Sequence, residues 1–358
     1  MKFLRYLLYF ILAIILFIAL LILWPKGSIE TQLKNNNIPA MGYAVIEEGT
    51  VKDLKVIGEL EKGIPAPDNS IFNVASVTKP VFCLVVQKLI DAGELGLDEP
   101  LHPYWVDPDI KDDPRHKLLT PRILMSHQSG FLNWRWHHED GKLAFTFDPG
   151  TQYSYSGEGM EYLKHAIQNK TGINLKELAD SLVFDPLGMK DTRLIWDDEM
   201  DESRFAKWHD KEGNLYEINK RKNALAADDM MTTLSDLSQF AIYMMNGAGL
   251  SDATFKEIST PQVWQNERLA FGLGWELAPK MSNDEYALVH GGSDQGVRAR
   301  IVVMPKSKRG FIAFTNSDNG QKILDRVMVR HFEPGSDVLK NIYIPYVWRI
   351  IHLPLDIL

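Results

Sequence analysis

The chain has 358 residues, 45% of them hydrophobic and 24% charged, which suits one large globular domain or two smaller ones. Its net charge is −8 and no long Lys/Arg run occurs, so the basic face that nucleic acid requires is excluded. Cys83 is the single cysteine; an intrachain disulfide and a thiolate metal cluster are excluded, and among Phe82, Leu84 and Val85 it reads as a buried packing residue.

Residues 6–24 form an unbroken apolar run without charge. At about 1.5 Å per helical residue it just spans a bilayer core of about 30 Å. Lys2 and Arg5 precede it and Trp24 lies at its far edge, which predicts a cytoplasmic N-terminus and an outward-facing remainder. A cleaved signal peptide has a shorter apolar core and a small-x-small site, whereas this run ends Leu21-Ile22-Leu23-Trp24-Pro25-Lys26. Residues 1–25 therefore read as an uncleaved single-pass anchor and 26–37 as a linker.

A hairpin of short strands is expected over 42–57. An amphipathic helix is expected over 76–91, with apolar Val81, Phe82, Leu84, Val85, Val86, Leu89 and Ile90 at helical spacing and a stop at Ala92-Gly93. Residues 94–225 read as mostly helix and loop, rich in Trp, His and Asp. A second amphipathic helix follows over 234–245, with Thr232-Thr233 as its cap. Strands are expected at 271–275, 286–290, 297–304 and 310–316, paired in meander order as one antiparallel sheet that the early hairpin can join. The end of the chain, 336–358, is an apolar tail interrupted by Pro345. It is too short and broken to span a bilayer, and two readings stay open: a tail packed on the domain, or an interfacial contact with a membrane.

Ser76-Val77-Thr78-Lys79 stands at the start of the first helix. Residues three apart share a helix face, so the Lys79 amine can reach the Ser76 hydroxyl. A serine hydroxyl becomes a nucleophile once a neighbour takes its proton, and the N–H groups of a helix start suit a developing oxyanion. Alone the pair is two fixed residues, equally an ordinary N-terminal serine with an exposed lysine.

Three further segments bear on the choice: Leu124-Met125-Ser126-His127-Gln128-Ser129-Gly130, Pro149-Gly150-Thr151-Gln152-Tyr153-Ser154-Tyr155-Ser156-Gly157, and Val289-His290-Gly291-Gly292-Ser293. With Phe72 to Pro80, Leu95 to Pro100 and Phe271 to Trp275, they resemble in order the serine beta-lactamase-related family, in its class C beta-lactamase, D-alanyl-D-alanine carboxypeptidase and esterase branch. The resemblance implies an α+β, beta-lactamase/transpeptidase-like fold: an antiparallel sheet flanked by helices, with a mainly helical second part over about 94–225 inside a hydrolase domain of 38–335. It implies Ser76 as the acylated nucleophile, Lys79 as its proton acceptor, Tyr155 as the proton shuttle and His290 as a partner reaching across towards Tyr155. The backbone N–H groups of Ser76 and Ser293 would form the oxyanion hole, and Gly291 and Gly292 would let substrate backbone approach.

Two positions depart from the family pattern. Gly157 stands where an asparagine is usual, which removes an amide that grips an acylamino substrate. His290 replaces the lysine of many beta-lactamases and is mostly neutral at pH 7. Arg298 and Arg300 alternate onto one face of the next strand and offer a substitute positive charge or solvent-facing charges. His137-His138-Glu139-Asp140 lacks metal-site spacing and reads as a polar loop beside Trp134 and Trp136, so no metal is expected. Gly-x-Ser-x-Gly, Walker and dinucleotide patterns are absent from the sequence, and no cofactor is expected. The expected protein is a membrane-anchored, extracytoplasmic (periplasmic) serine hydrolase. It would act through an acyl-enzyme on an ester, a D-amino-acid peptide or a beta-lactam, a small-molecule or peptidoglycan-like substrate. The rival is a non-catalytic penicillin-binding-like sensor or envelope scaffold. Oligomeric state is left open.

Overall fold

The computed structural model describes residues 27–351. The expected anchor at 6–24 lies outside the described residues, as do 352–358. No helix among the described residues is long and apolar enough to cross a membrane.

Among the described residues, nine strands form one sheet in the order β3-β2-β1-β11-β10-β9-β8-β7-β6, with every neighbouring pair antiparallel. The strands are β1 (Ala40–Glu47), β2 (Thr50–Glu61), β3 (Ile64–Pro65), β6 (Val263–Trp264), β7 (Ala270–Phe271), β8 (Glu276–Ala278), β9 (Ala287–Asp294), β10 (Val297–Met304) and β11 (Arg309–Thr315). The short pair β4 (Phe72–Asn73) and β5 (Met231–Thr232) stands apart. The early hairpin does join the main sheet: β1 pairs with β11, Met41 opposite Thr315 and Ile46 opposite Gly310.

Both faces of the central strands are covered, and the pleat sorts their side chains. Ala299, Ile301 and Val303 of β10, with Ile312 and Phe314 of β11, enter the larger core. This core also holds α2 (Thr78–Asp91), α3 (Gly157–Thr171) and α4 (Leu234–Met245). Val302, Met304, Phe311 and Ala313 face a second core beneath α1 (Ile29–Asn35), α5 (Gln321–His331) and α6 (Gly335–Ile351). Arg298 and Arg300 share that second face by parity. The helical and irregular segment after α2 contributes Leu101, Leu119, Leu124, Phe131 and Leu163 to the larger core, so it shares the sheet's interior.

Two expectations change in detail. The first helix opens with a 3₁₀ turn, Ala75–Val77, before α2 begins at Thr78. The strand expected at 271–275 is instead a turn: β7 ends at Phe271, Gly272 N–H bonds back to Trp275 O, and β8 starts at Glu276. Gly274, at φ +85°, reverses the chain there and lies so close to Cys83 that a Cβ would fall 2.5 Å from that side chain. The 234–245 helix matches its expected bounds, capped by the Thr233 side chain accepting from Asp236 N. The tail begins as α6, whose Val338 and Ile342 are buried in the second core.

Candidate active site

The loop before α2 is held in an unusual backbone shape. Ala75, a non-glycine residue, sits at φ +47°. Its N–H donates to Asn73 Oδ1 (2.7 Å) and its carbonyl accepts from Thr78 Oγ1 (2.6 Å). Thr78 Oγ1 also accepts from Met230 N, stitching the turn to β5. Left-handed backbone costs on the order of 1–3 kcal/mol and persists where surrounding bonds over-determine it. Here it presents Ser76 on the 3₁₀ turn, with Lys79 one turn on.

Lys79 is 1% exposed. Its Nζ donates to Ser76 Oγ at 3.0 Å and to Ala227 O at 2.7 Å, and lies 4.8 Å from the centre of the Tyr155 ring. The Ala227 carbonyl gives the amine a second, backbone anchor. A half-buried carboxyl follows it in sequence: desolvation pushes Asp228 up to about 7, against the pull of Lys79. Asp228, Asp229 and Asp294 each bring a carboxylate oxygen within 4.8 Å of the others. Asp229 already accepts from Asn73 Nδ2 and pairs with Arg221 Nε, which makes the trio a poor donor set for a cation.

β9 supplies the opposite wall. Gly292 packs on the turn before Ser76 so closely that a Cβ would fall 2.2 Å from Val74 O. This glycine therefore allows the approach of β9 to the nucleophile's own turn, and it also lines the cleft. Gly291 has open space where a Cβ would go, nothing closer than Ala299 O at 3.9 Å. The packing sets Ser293 beside Ser76 on the cleft wall, where its N–H is expected in the oxyanion hole. β8 stops pairing with β9 at Val289, so residues 290–293 line the cleft with no strand paired on that side among the described residues.

A cleft of ≈ 550 Å³ is lined by Ser76, Tyr155, His290, Gly291, Gly292 and Ser293 from the expected set. The His290 ring lies 6.3 Å from that of Tyr155, and its Nδ1 turns to Gly291 O at 2.8 Å. The expected reach across to Tyr155 is absent from its described hydrogen bonds. Burial, then the charges of Lys79 and Arg300, push the imidazole down to about 3, so it is neutral.

Two expected substrate-binding residues are not on the cleft wall. Arg298 turns away, donating to Asp294 O and Val297 O and pairing with Asp318 at 3.4 Å. Gly157 is covered by the Trp134 indole, whose atoms would lie 2.7–3.0 Å from a Cβ there. Its N–H donates to Asn133 Oδ1 (2.9 Å), and Asn133 does line the cleft. Of the two arginines, Arg300 lines it, bonded through Nη2 to Asp325 and to the Tyr343 hydroxyl, both at 3.2 Å. Glu276, Gln321, Ile342 and Tyr343 complete the wall. Burial raises the Glu276 carboxyl, against the pull of Arg300. These residues come from the FGLGW turn, α5 and the tail. No local pattern ties them to Ser76, although Glu276 directly follows a quoted motif.

The Beta-lactamase family model matches residues 26–329. A beta-lactamase of Pseudomonas fluorescens is 24% identical over 282 residues, covering 75% of this chain and 77% of its own length. Esterase EstB of Burkholderia gladioli is 30% identical over 184 residues, 43% of this chain and 45% of the esterase. The chain thus spans less than half of that esterase's length. A D-alanine carboxypeptidase structure from Burkholderia cenocepacia superposes with a TM-score of 0.69 at 18% identity, covering 83% of this chain and 95% of that one.

Proposed function

The chain belongs to the beta-lactamase family of serine hydrolases, and from that premise we propose an esterase, held at a membrane, that acylates Ser76. One observation carries the chemistry: the Lys79 amine, fixed by Ala227 O, at 3.0 Å from Ser76 Oγ beneath the Tyr155 ring. In the proposed sequence Ser76 Oγ attacks the ester carbonyl carbon and its proton passes to the Lys79/Tyr155 pair. The carbonyl oxygen gathers negative charge opposite the N–H groups of Ser76 and Ser293. The C–O bond breaks and the leaving alkoxide takes the proton from Tyr155; water then attacks the acyl carbon and gives its proton to the same group, the acyl–Oγ bond breaks, and that proton returns to Ser76 Oγ.

Three features favour a simple ester over a beta-lactam. The indole of Trp134 fills the space of an asparagine side chain at 157. His290 is neutral where a lysine would meet a substrate carboxylate. Arg300 is tied to Asp325. A hydrogen bond lost to a neutral group costs about 0.5–1.5 kcal/mol and one to a charged group about 1.5–3. Together that is roughly two to three powers of ten in rate. The outward-facing, membrane-held location rests on the apolar run 6–24 behind Lys2 and Arg5.

The test compares a nitrophenyl ester with a chromogenic cephalosporin on one preparation, with Ser76→Ala as blank. The ester should show the larger kcat/KM. A larger value for the cephalosporin overturns the ester reading.

A further inference from the structure

His127 is fully buried, and the reaction sequence above leaves it without a part. It sits at φ +57°, a left-handed conformation that non-glycine residues adopt rarely. From there it holds the three residues around Tyr155. Its carbonyl accepts from Ser154 N (2.9 Å), and its Nδ1 accepts from Ser156 N (3.1 Å). Its ring packs on the ring of Tyr155, with centroids 4.3 Å apart and planes at 37°. Phe271 closes the far side edge-on at 4.6 Å.

A backbone N–H only donates, so Nδ1 is bare and the neutral ring carries its proton on Nε2. Nε2 has no hydrogen-bond partner among the described residues. Burial, then the charges of Lys79 and His290, hold the imidazole well below its usual range, so the bare Nδ1 persists at working pH. Ser156 is fixed from its other end too: its Oγ caps α3 through Gly159 N and donates to Leu132 O. A phenol flanked by two tethered residues and backed by a ring has little freedom left.

We propose that His127 is the positioning residue for Tyr155: its carbonyl and Nδ1 clamp the backbone on either side while its ring sets the plane of the phenol. The inference rests on the reading of Tyr155 as the group that hands a proton to the leaving oxygen. Nitrophenolate departs without a proton, whereas an alkoxide must receive one as its C–O bond breaks. Misplacing Tyr155 therefore slows serine activation and deacylation for both esters, and slows leaving-group departure for the alkyl ester in addition. A loss of folding would lower both rates alike.

The experiment measures kcat/KM, which reports the steps up to leaving-group departure, for nitrophenyl acetate and for a simple alkyl acetate, per site titrated by a serine-reactive probe, in four variants. His127→Phe keeps a ring and loses the acceptor; His127→Ala loses both. His127→Asn keeps an acceptor and tolerates the left-handed backbone. Tyr155→Phe removes the proton carrier. In His127→Phe and His127→Ala the ratio of nitrophenyl to alkyl kcat/KM should rise at least about tenfold. His127→Asn should recover most of the ratio. An unchanged ratio in the His127 variants, with a raised ratio in Tyr155→Phe, overturns the positioning role alone. An unchanged ratio in Tyr155→Phe overturns the Tyr155 reading and the positioning role with it.

Discussion

The indole of Trp134 occupies the space into which any side chain at position 157 would grow, its nearest atom 2.7 Å from where a Cβ would stand. Trp134 is itself stacked on Trp136, with centroids 4.8 Å apart and planes at 11°, and Trp136 is 64% exposed. The glycine and the tryptophan therefore form one unit. Gly157→Ala should lower stability by about 1–3 kcal/mol, the usual range for overpacking. In a Trp134→Ala background the same substitution should cost much less. Urea midpoints of the four members of this cycle measure the coupling. Equal costs in both backgrounds would show that position 157 does not depend on the indole.

Ser76→Ala should abolish covalent labelling by a serine-reactive probe and ester turnover, while the urea midpoint changes little. The side chain is partly exposed on a turn fixed by Asn73 and Thr78, so its loss removes the nucleophile without loosening the loop. Mass mapping of the labelled wild-type peptide checks the position. Undiminished labelling of the variant would move the nucleophile elsewhere.

Asp228 gives a pH signature with a definite sign. Burial raises its carboxyl to about 7 in the folded chain, above the unfolded value of about 4. Between those values the folded state holds a proton that the unfolded state has released. The stabilisation is full below about pH 4 and is lost as pH rises through about 7. Buried His127 and His290 act oppositely: their lowered values give stability that is present above the unfolded histidine value and lost on acidification. Asp228→Asn isolates the first effect. Relative to wild type, it should gain stability between pH 5 and pH 8 in paired urea titrations. A constant difference across that interval would contradict a raised carboxyl.

The full-length protein should sediment with membranes and resist extraction by salt, and a chain starting at Lys26 should not. The reason is the uncharged run 6–24. Sequencing the N-terminus of the mature protein provides the check. A start downstream of Trp24 would identify the run as a removed signal.

Elements governed by local periodicity were legible from the residues. The helix 234–245 and the strand 297–304 follow from apolar spacing, while the joining of the early hairpin to the sheet was an open option that the β1–β11 pairing realises. The 271–275 segment was not, because Gly274 reverses a chain whose composition suits a strand. That Gly292 also lets β9 approach the carbonyl of Val74, more than two hundred residues earlier, is visible only in the folded chain. Asn133, Gln321 and Tyr343 reach the cleft through tertiary contacts that no spacing announces, whereas strand alternation names Arg300 along with Arg298 and only the fold separates the two. His127 lay inside a quoted motif, yet its grip on residues 154–156 exists only once the two loops meet.

The pairing of β1 with β11 also has a consequence in time. β1 is made early, its residues are buried almost throughout, and its partner Thr315 lies more than 270 residues downstream. At about 5–20 residues per second, roughly 15–50 seconds separate the synthesis of the two strands. For that interval β1 has β2 on one side and a bare, apolar edge on the other, the kind of edge that recruits foreign strands. The nascent chain thus carries a sticky half-sheet for most of its synthesis, and its folding speed is bounded by the arrival of its last strand.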